Sequence, residues 1–376
     1  MSKPTIALAI MMKNEEAIIQ KSIESAKPYV DSIVILDTGS SDESISLARA
    51  SIGDMPGLVA EAAWKGFAKS RNELLDLAGK FADYTLCLDA DSLFVGETGE
   101  TRESLREQLN QPTHLVKIIH DNGMTYPRHA LIHRDSGALY RGVVHEYLAL
   151  KENTVSGTLI SGFHILNDAA GTSARDGNPN KYLEDARALK AELDGDPGDL
   201  RPRYTFYLAQ SYRDARAFPL ALEYYEKRVA LGGWREEVYY AALQVARHKL
   251  LLKFPDDEVI AAYLTAYESL PTRGESLYGL AKFARETSRW NLAHMIASWG
   301  ARITEPEGGL FSEPYIYTWG FRYELSISSW WVNKFSEGMR LCEDLLKEDL
   351  MSEGERAATE KNLQLYQKAL NPNLTS

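Results

Sequence analysis

Two carboxylates stand at the end of an apolar run in the first quarter of the sequence. Asp89 and Asp91 are separated by one alanine and follow residues 84–88, Tyr-Thr-Leu-Cys-Leu, a run with the length of a buried strand. Carboxylates so spaced can face one cavity and share a hard divalent cation, magnesium or manganese, that keeps positions open for substrate phosphates. An isolated Asp-x-Asp is more often a surface turn. The apolar residues on both sides favour a metal site here, because a carboxylate among buried residues needs a neutralising charge.

Two further polar side chains follow strand-like runs, Asn14 after the first run and Asp37 after the second. Ser40 and Glu43 have the spacing of a capping box for the next helix, which leaves Asp37 as a candidate acceptor for a nucleoside base or ribose. Alternatively, Asp37 caps its own turn through the backbone, as Asp often does before glycine-containing turns. Asn14, in the loop at its strand end, is a candidate ligand of the same nucleotide.

An arginine lies on the apolar face of a predicted helix. Arg71 comes four residues after Phe67 and four before Leu75, which places it on their stripe. An inward-facing guanidinium needs an anion, either a carboxylate such as Asp89 or a diphosphate held beside the metal. We expect it to serve both. Lys65, just before this helix, is a candidate to contribute positive charge near the phosphates, with a solvated surface position as the alternative.

Two residues further along are candidates for proton transfer and metal binding. His145 and Glu146 follow a short apolar run, and Glu146 is a candidate general base for an acceptor hydroxyl, with an outward-facing strand position as its alternative. His164 is a candidate to complete the metal site begun by Asp91, although a lone histidine is more often an ordinary core or surface residue.

The elements that must position these residues follow from hydrophobic periodicity. The runs at 5–11, 32–36 and 84–88 alternate with helical segments, which predicts a βαβα order and a mostly parallel, Rossmann-like sheet. Ligands of such sheets bind at the carboxyl ends of the strands, where the polar strand ends described above should meet. We assign this α/β domain to residues 1–170.

Residues 171–376 are predicted to be helical, with a weak internal repeat of the tetratricopeptide type. The residues that recur at equal offsets are Leu208, Ala209, Tyr212, Ala221 and Tyr225 in one copy and Leu280, Ala281, Ala284, Ala293 and Ala297 in another. The pattern predicts an all-α domain of three to four helical repeats with a final capping helix near 353–370. A plain bundle of amphipathic helices is the alternative.

Composition limits the class of protein. The 376 residues carry 42 Lys and Arg against 53 Asp and Glu, a formal charge of −11 that disfavours nucleic acid as a partner. Two cysteines without a CxxC pair exclude a disulfide framework and a thiolate zinc site. The first residues contain no apolar segment long enough for a signal peptide or membrane span. We expect a soluble cytoplasmic protein.

Taken together, these segments resemble family 2 glycosyltransferases of the A-type nucleotide-sugar fold. More narrowly, the chain is similar to a bacterial subgroup that joins a compact transferase domain, like that of lipooligosaccharide β-1,4-glucosyltransferases, to a tetratricopeptide-like tail. The matching segments of the first domain are 12–16, 37–42, 67–72, 88–91 and 142–146. The likeness implies a metal-dependent, inverting transfer from a UDP-sugar.

The resemblance also implies roles for individual residues. Asp37 would contact the nucleoside, Arg71 the diphosphate and Asp91 the metal, with Asp89 bonding the ribose or a metal-bound water. Glu146 would act as the base, although a His-Glu pair stands where larger relatives have an acidic pair. The repeats would bind a glycan, protein or peptide acceptor, or form a homodimer.

Two other functions stay open. One is a non-catalytic scaffold that binds nucleotide and recruits a protein through its repeats, which the presence of Asp89, Asp91 and Arg71 together disfavours. The other is a nucleotidyltransferase, which also pairs carboxylates with a metal. That class needs a glycine- and lysine-rich loop after the first strand, and residues 11–14 contain no glycine.

Overall fold

The computed structural model describes residues 3–120, 125–151, 157–167, 178–348 and 350–371. The chain divides into two compact units, Met1–Leu189 (unit 1) and Lys190–Ser376 (unit 2). The boundary predicted between residues 170 and 171 lies outside the described residues and stays a prediction.

Unit 1 alternates strands and helices in its first half and continues mainly with strands. Its strands are β1 Ile6–Met12, β2 Ser32–Asp37, β3 Gly57–Glu61, β4 Tyr84–Asp89, β5 Ser92–Gly96, β6 Thr113–His120, β7 Thr125–His133, β8 Leu139–Arg141, β9 Tyr147–Ala149 and β10 Leu159–Asn167. Its helices are α1 Ile19–Ala26, α2 Ser44–Ile52, α3 Phe67–Ala78 and α4 Arg102–Glu107.

Eight of these strands form one sheet in the order β3-β2-β1-β4-β7-β6-β10-β5. Strands β3, β2, β1 and β4 run parallel, and β10 runs parallel to β6, whereas β7 is antiparallel to both of its neighbours and β5 is antiparallel to β10. The predicted α/β class with a mostly parallel sheet is confirmed.

Helices cover both faces of the parallel strands. Ile19 and Ile23 of α1 pack with one set of β1 side chains, and Leu74 and Ala78 of α3 pack with the alternate set. Burial on both faces explains why β1, β2 and β4 are continuous apolar runs. The helices therefore hold the carboxyl ends of these strands in fixed positions.

The sheet curls strongly at the end of β4. Only Ala90 and Asp91 connect β4 to β5, and a connection of this length spans at most about 11 Å. In a flat sheet the four strand spacings between β4 and β5 would require about 19 Å. The curl is fixed by α1, because the Ser22 hydroxyl donates to the carbonyl of Ser92 over 2.8 Å. Edge strand β5 is thereby brought back to the carboxyl end of β4.

Strands β8 and β9 form a separate two-stranded sheet in which Arg141 pairs with Tyr147. Residues 142–146 form the loop between them, with positive φ at Gly142 (111°) and His145 (50°). Glu146 therefore lies in a loop, and the alternative of an outward-facing strand residue is wrong.

The regular secondary structure of unit 2, within its described residues, consists of helices. After α5 Lys181–Asp194, the helices are α6 Arg201–Asp214, α7 Phe218–Leu231, α8 Arg235–Leu251, α9 Asp256–Ser269, α10 Glu275–Glu286, α11 Trp290–Gly300, α12 Phe321–Trp331, α13 Phe335–Lys347 and α14 Glu353–Leu370. A π-helical turn, Ile316–Gly320, leads into α12.

These helices stack as repeated pairs. Each helix from α6 on packs against the next, and α8, α10, α12 and α14 also contact one another in sequence. Because the main contacts of each helix are with its neighbours along the chain, this arrangement is a solenoid of helical repeats, and the bundle alternative is wrong. Across the described ranges of the chain, no helix combines the length and apolarity needed to cross a bilayer.

Candidate active site

The carboxyl ends of β1, β2 and β4 lie side by side, as the pattern of polar strand ends predicted. Met12 of β1 pairs with Asp37 of β2, and the preceding Met11 pairs with Asp89 of β4. Asp37 and Asp89 therefore flank the end of the same central strand.

Two arginines hold Asp89. Nη2 of Arg71 lies 2.6 Å from Oδ1 of Asp89, and Nη1 of Arg128 lies 2.6 Å from Oδ2. Burial alone would raise the pKa of Asp89, but the charges of Arg128 and Arg71 outweigh it and hold this pKa well below its usual range. Asp89 is therefore a carboxylate anion whose two oxygens are both engaged by guanidinium groups.

Arg71 joins this strand end to the loop between β8 and β9. Its Nε donates to Oε1 of Glu146 over 2.7 Å, and its guanidinium carbon lies 5.5 Å from the ring centroid of Tyr140. Asn72 fixes β8 against α3, since its side chain accepts from the Tyr140 N–H (2.7 Å) and donates to the Tyr140 carbonyl (2.9 Å). The inward arginine predicted from helical spacing is thus placed among two carboxylates and an aromatic ring.

Arg128 was not predicted from the sequence. Strand β7 is antiparallel to β4, with Leu86 opposite Leu131, and extending this ladder by three residues places Arg128 opposite Asp89. Its neighbour β4 lies some forty residues earlier in the sequence, so no local pattern in β7 assigns Arg128 to the site. Only the strand order reveals that this arginine belongs to the site.

Asp37 is buried, with 2% of its surface exposed, and its carboxylate caps its own turn. It accepts from the N–H groups of Gly39 (2.9 Å) and Ser40 (3.0 Å). Asn14 joins the same turn, because its N–H donates to the Ser40 hydroxyl and its Oδ1 accepts from the Ser41 N–H, both over 2.8 Å. The loops after β1 and β2 therefore form one hydrogen-bonded unit, and the turn-capping alternative for Asp37 is confirmed.

The predicted capping box of Ser40 and Glu43 is wrong. Helix α2 begins at Ser44, and Glu43 precedes it without a side-chain capping bond. The nearer Asp42 supplies the cap instead, accepting from the Ser44 N–H over 3.0 Å. Ser40 is left to bond Asp37.

His164 of β10 lies opposite Val95 of β5, four residues beyond Asp91 in the chain, a distance of at most about 13 Å along the strand. The role of His164 as a metal ligand beside Asp91 stays a prediction. The polar residue of β10 next to the turn is Asn167, which pairs with Ser92.

The Lys65 side chain pairs with a carboxylate of α3. Its Nζ pairs with Glu73 over 2.8 Å, and its side chain is 51% exposed. This position agrees with the solvated alternative.

Within the described part of the chain, no three His, Cys, Asp or Glu residues are grouped to hold a metal ion. The carboxylate ligands available here still fit magnesium or manganese, which bind through one or two carboxylates together with substrate phosphates. Asp91, half-buried in the turn after β4, is such a carboxylate. Asp89 gives both oxygens to arginines.

Two curated proteins show partial sequence similarity. A TPR repeat-containing protein of Synechococcus elongatus is 29% identical over 112 residues, 30% of this chain and 26% of that protein. The glycosyltransferase SunS of Bacillus subtilis is 28% identical over 95 residues, 25% of this chain and 22% of SunS. The chain thus spans about a quarter of the length of these relatives.

Solved structures show distant similarity. S. aureus TarS 1-349 in complex with UDP-GlcNAc is 14% identical with a TM-score of 0.38, over 70% of this chain and 91% of that one. A tetratricopeptide repeat protein from Parabacteroides merdae is 14% identical with a TM-score of 0.38, over 52% and 69%. Glucosyl-3-phosphoglycerate synthase from Mycobacterium tuberculosis with Mg²⁺ and uridine diphosphate is 23% identical with a TM-score of 0.24, over 32% and 44%.

A family model describes the region that carries the site. The model of glycosyl transferase family 2 matches residues 8–143, which include Asp37, Arg71, Asp89 and Arg128. Glu146 follows three residues after the end of the match. The likeness to glycosyl transferase family 2 thus covers residues 8–143 of the 376 and lies within unit 1.

Proposed function

We propose that unit 1 transfers a sugar from a nucleoside diphosphate donor, a UDP-sugar, to a hydroxyl group of an acceptor. The observation that carries this proposal is the pair of arginines fixed on Asp89 at the carboxyl edge of the sheet. Negative charge builds on the diphosphate as the sugar leaves, and preorganised cations at that position stabilise the transition state. The family match and the similarity to SunS support the same reaction class.

The two guanidinium groups retain capacity for a diphosphate. A guanidinium has five N–H donors, and the bonds to Asp89 and Glu146 use two of those of Arg71. Because Asp89 accepts from both arginines, it sets their separation and orientation before the donor binds. Arg71 and Arg128 would then bind the diphosphate oxygens with their remaining donors.

Asp91 would hold a magnesium or manganese ion, which when bound would neutralise part of the diphosphate charge. Asp37 and Asn14 line the neighbouring strand ends, where the nucleoside would lie. In this proposal Asp37 acts through the rigid turn that it caps as well as through its own oxygens.

Glu146 would accept the proton of the acceptor hydroxyl. Arg71 binds one carboxylate oxygen of Glu146, which orients the group and leaves a second oxygen for the acceptor. The deprotonated hydroxyl would attack the anomeric carbon on the face opposite the departing diphosphate, with inversion of configuration. The predicted presentation of a glycan, protein or peptide acceptor by unit 2 stays a prediction.

The test is donor binding and hydrolysis by the full chain. A thermal-shift screen of nucleotide sugars with and without manganese should identify a UDP-sugar that stabilises the protein, and that donor should be hydrolysed slowly in the presence of the metal. Asp91→Asn should abolish hydrolysis while the protein stays folded. The matched control, Asp135→Asn, changes a carboxylate that is 78% exposed and should retain full turnover.

Two results would contradict the proposal. One is that no nucleotide sugar raises the melting temperature at any metal concentration, which would favour a different ligand. The other is full hydrolysis by the Asp91→Asn variant, which would remove the proposed metal carboxylate from the reaction.

A further inference from the structure

The connection between α11 and α12 is the longest helix connection among the described residues of unit 2. Helix α11 ends at Gly300 and helical backbone resumes at Pro314, so residues 301–313, here called the strap, connect them. Neighbouring connections are short, as between α7 and α8 or between α10 and α11. Connections of this length without secondary structure are uncommon in compact domains and are often functional.

The strap runs along one face of α8 that contains Glu236, Tyr240 and Arg247, here called the stripe. The N–H of Leu310 donates to Oε2 of Glu236 over 3.0 Å, and Arg247 pairs with the carboxylate of Glu313. Between these contacts the ring of Phe311 lies 4.8 Å from the ring of Tyr240. The three α8 residues are four and seven residues apart and therefore share one face of the helix.

The strap also contacts the segment that precedes α10. Arg273, two residues before this helix, donates to the Leu310 carbonyl over 3.1 Å. One residue of the strap thus has its N–H and its carbonyl bound by Glu236 and Arg273. These backbone contacts suit any extended polypeptide, because every residue except proline carries both groups.

The residues that contact the strap are fixed in position by further contacts with other helices. Arg273 is fully buried and pairs with Glu236 and Glu275, and the Tyr239 hydroxyl donates to Glu275 over 3.0 Å. On the other side of the stripe, Arg213 of α6 donates to the Tyr240 hydroxyl over 3.0 Å. The groups that bind the strap are therefore preorganised by neighbouring helices.

The strap itself is poorly seated at its centre. Phe311 is 50% exposed although its ring lies on Tyr240, and its φ is 51°, a conformation that L side chains adopt rarely. Both features reduce the free energy gained when the strap binds. A ligand with the same groups and an unstrained backbone would bind this stripe better.

We propose that this stripe is a peptide-binding site and that the strap occupies it in cis. The partner is an extended segment of another polypeptide with an aromatic residue followed two positions later by a carboxylate, which match Tyr240 and Arg247. Such a segment binds only when the strap leaves the stripe. The proposal does not depend on glycosyl transfer by unit 1.

The test uses a fluorescein-labelled peptide with the sequence of residues 305–314 and fluorescence anisotropy. In one variant of the full chain, residues 306–313 are replaced by a Gly/Ser segment of equal length. The peptide should bind this variant saturably and bind the wild-type chain at least tenfold more weakly. A control peptide with Phe311→Ala and Glu313→Gln should bind the variant at least tenfold more weakly than the parent peptide.

A second variant keeps the backbone contacts of the strap. The double substitution Phe311→Ala and Glu313→Gln removes both side-chain contacts and keeps the positive φ at a residue with a Cβ, so it should weaken the strap and also admit the peptide. Adding Arg247→Gln to either variant should weaken the peptide at least tenfold. Circular dichroism checks folding, and if the Gly/Ser variant does not fold the double substitution decides alone. Equal binding to wild-type and variant chains, or no binding to a folded variant, overturns the proposal.

Discussion

Replacing Asp89 by asparagine removes the charge that holds two arginines while keeping the size of the side chain. The bond to Arg71 joins side chains that are 17% and 28% exposed, so its loss should cost about 2 kcal/mol, within the range for hydrogen bonds between charged groups. Arg128 is 34% exposed, and after discounting for solvent screening its bond should contribute about 1 kcal/mol. Unit 1 should therefore lose about 3 kcal/mol of stability at neutral pH.

Hydrogen exchange detected by mass spectrometry can isolate unit 1 within the full chain. Amides of β1 and β4 are buried in the centre of the sheet and exchange mainly through unfolding of this unit. A loss of about 3 kcal/mol should speed their exchange about 100-fold, since each 1.4 kcal/mol is tenfold. Asp135→Asn, at a largely exposed carboxylate, is the matched control and should leave these rates unchanged.

The difference between the wild type and Asp89→Asn should depend on pH. The pKa of Asp89 is lowered in the folded protein, so its stabilising effect is fully present above the unfolded pKa of about 3.9 and is lost as pH falls toward the folded value. Urea midpoints for the two proteins should therefore differ most above pH 5 and converge below pH 4. Equal exchange rates at pH 7, or a difference that does not shrink in acid, would refute the ion-pair account.

Two further substitutions test separate parts of the structure. Arg128→Met should weaken UDP binding about 10- to 100-fold and uridine binding much less, because a charge-assisted bond to the diphosphate is lost. Calorimetry measures both affinities, and equal losses would indicate that Arg128 has a structural role only. Gly338→Ala should destabilise the end of unit 2 by about 1–3 kcal/mol in thermal melts, because the new Cβ would lie 2.1 Å from the Tyr366 ring. The control Gly354→Ala should be neutral or stabilising, because the nearest atom to its Cβ is Ser352 Oγ at 3.8 Å.

The central strands and the helical tail were predictable because their signals are local. Runs 32–36 and 84–88 correspond to β2 Ser32–Asp37 and β4 Tyr84–Asp89, since burial on both faces leaves little besides apolar residues. The capping helix predicted near 353–370 is α14 Glu353–Leu370, which begins with a capping box of Ser352 and Glu355. In each case the residues that define the element lie within the element.

The remaining parts of the site depend on contacts between distant segments. Arg128 reaches Asp89 only because β7 inserts antiparallel beside β4, and nothing within 125–133 specifies that neighbour. His164 was predicted by residue type, and its place opposite Val95 follows from the pairing of β10 with β5. The predicted capping box of Ser40 and Glu43 failed for a local reason, because Asp42 lies nearer to the start of α2 than Ser40 and caps the helix instead.

Asp89 and Asp91, which are a pair in the sequence, have different roles in the proposed reaction because of the charges around them. A divalent ion bound at Asp89 would lie against Arg71 and Arg128, and the repulsion among these cations in a partly buried site would oppose it. Asp91 lies two residues further on, in the turn after β4, and is the carboxylate at which the ion is proposed. A diphosphate would neutralise the positive charges of Arg71, Arg128 and the ion, because its oxygens can bind the guanidinium groups and the ion together. Donor and metal should therefore bind cooperatively, and each should weaken when Asp89 no longer holds the two arginines in place.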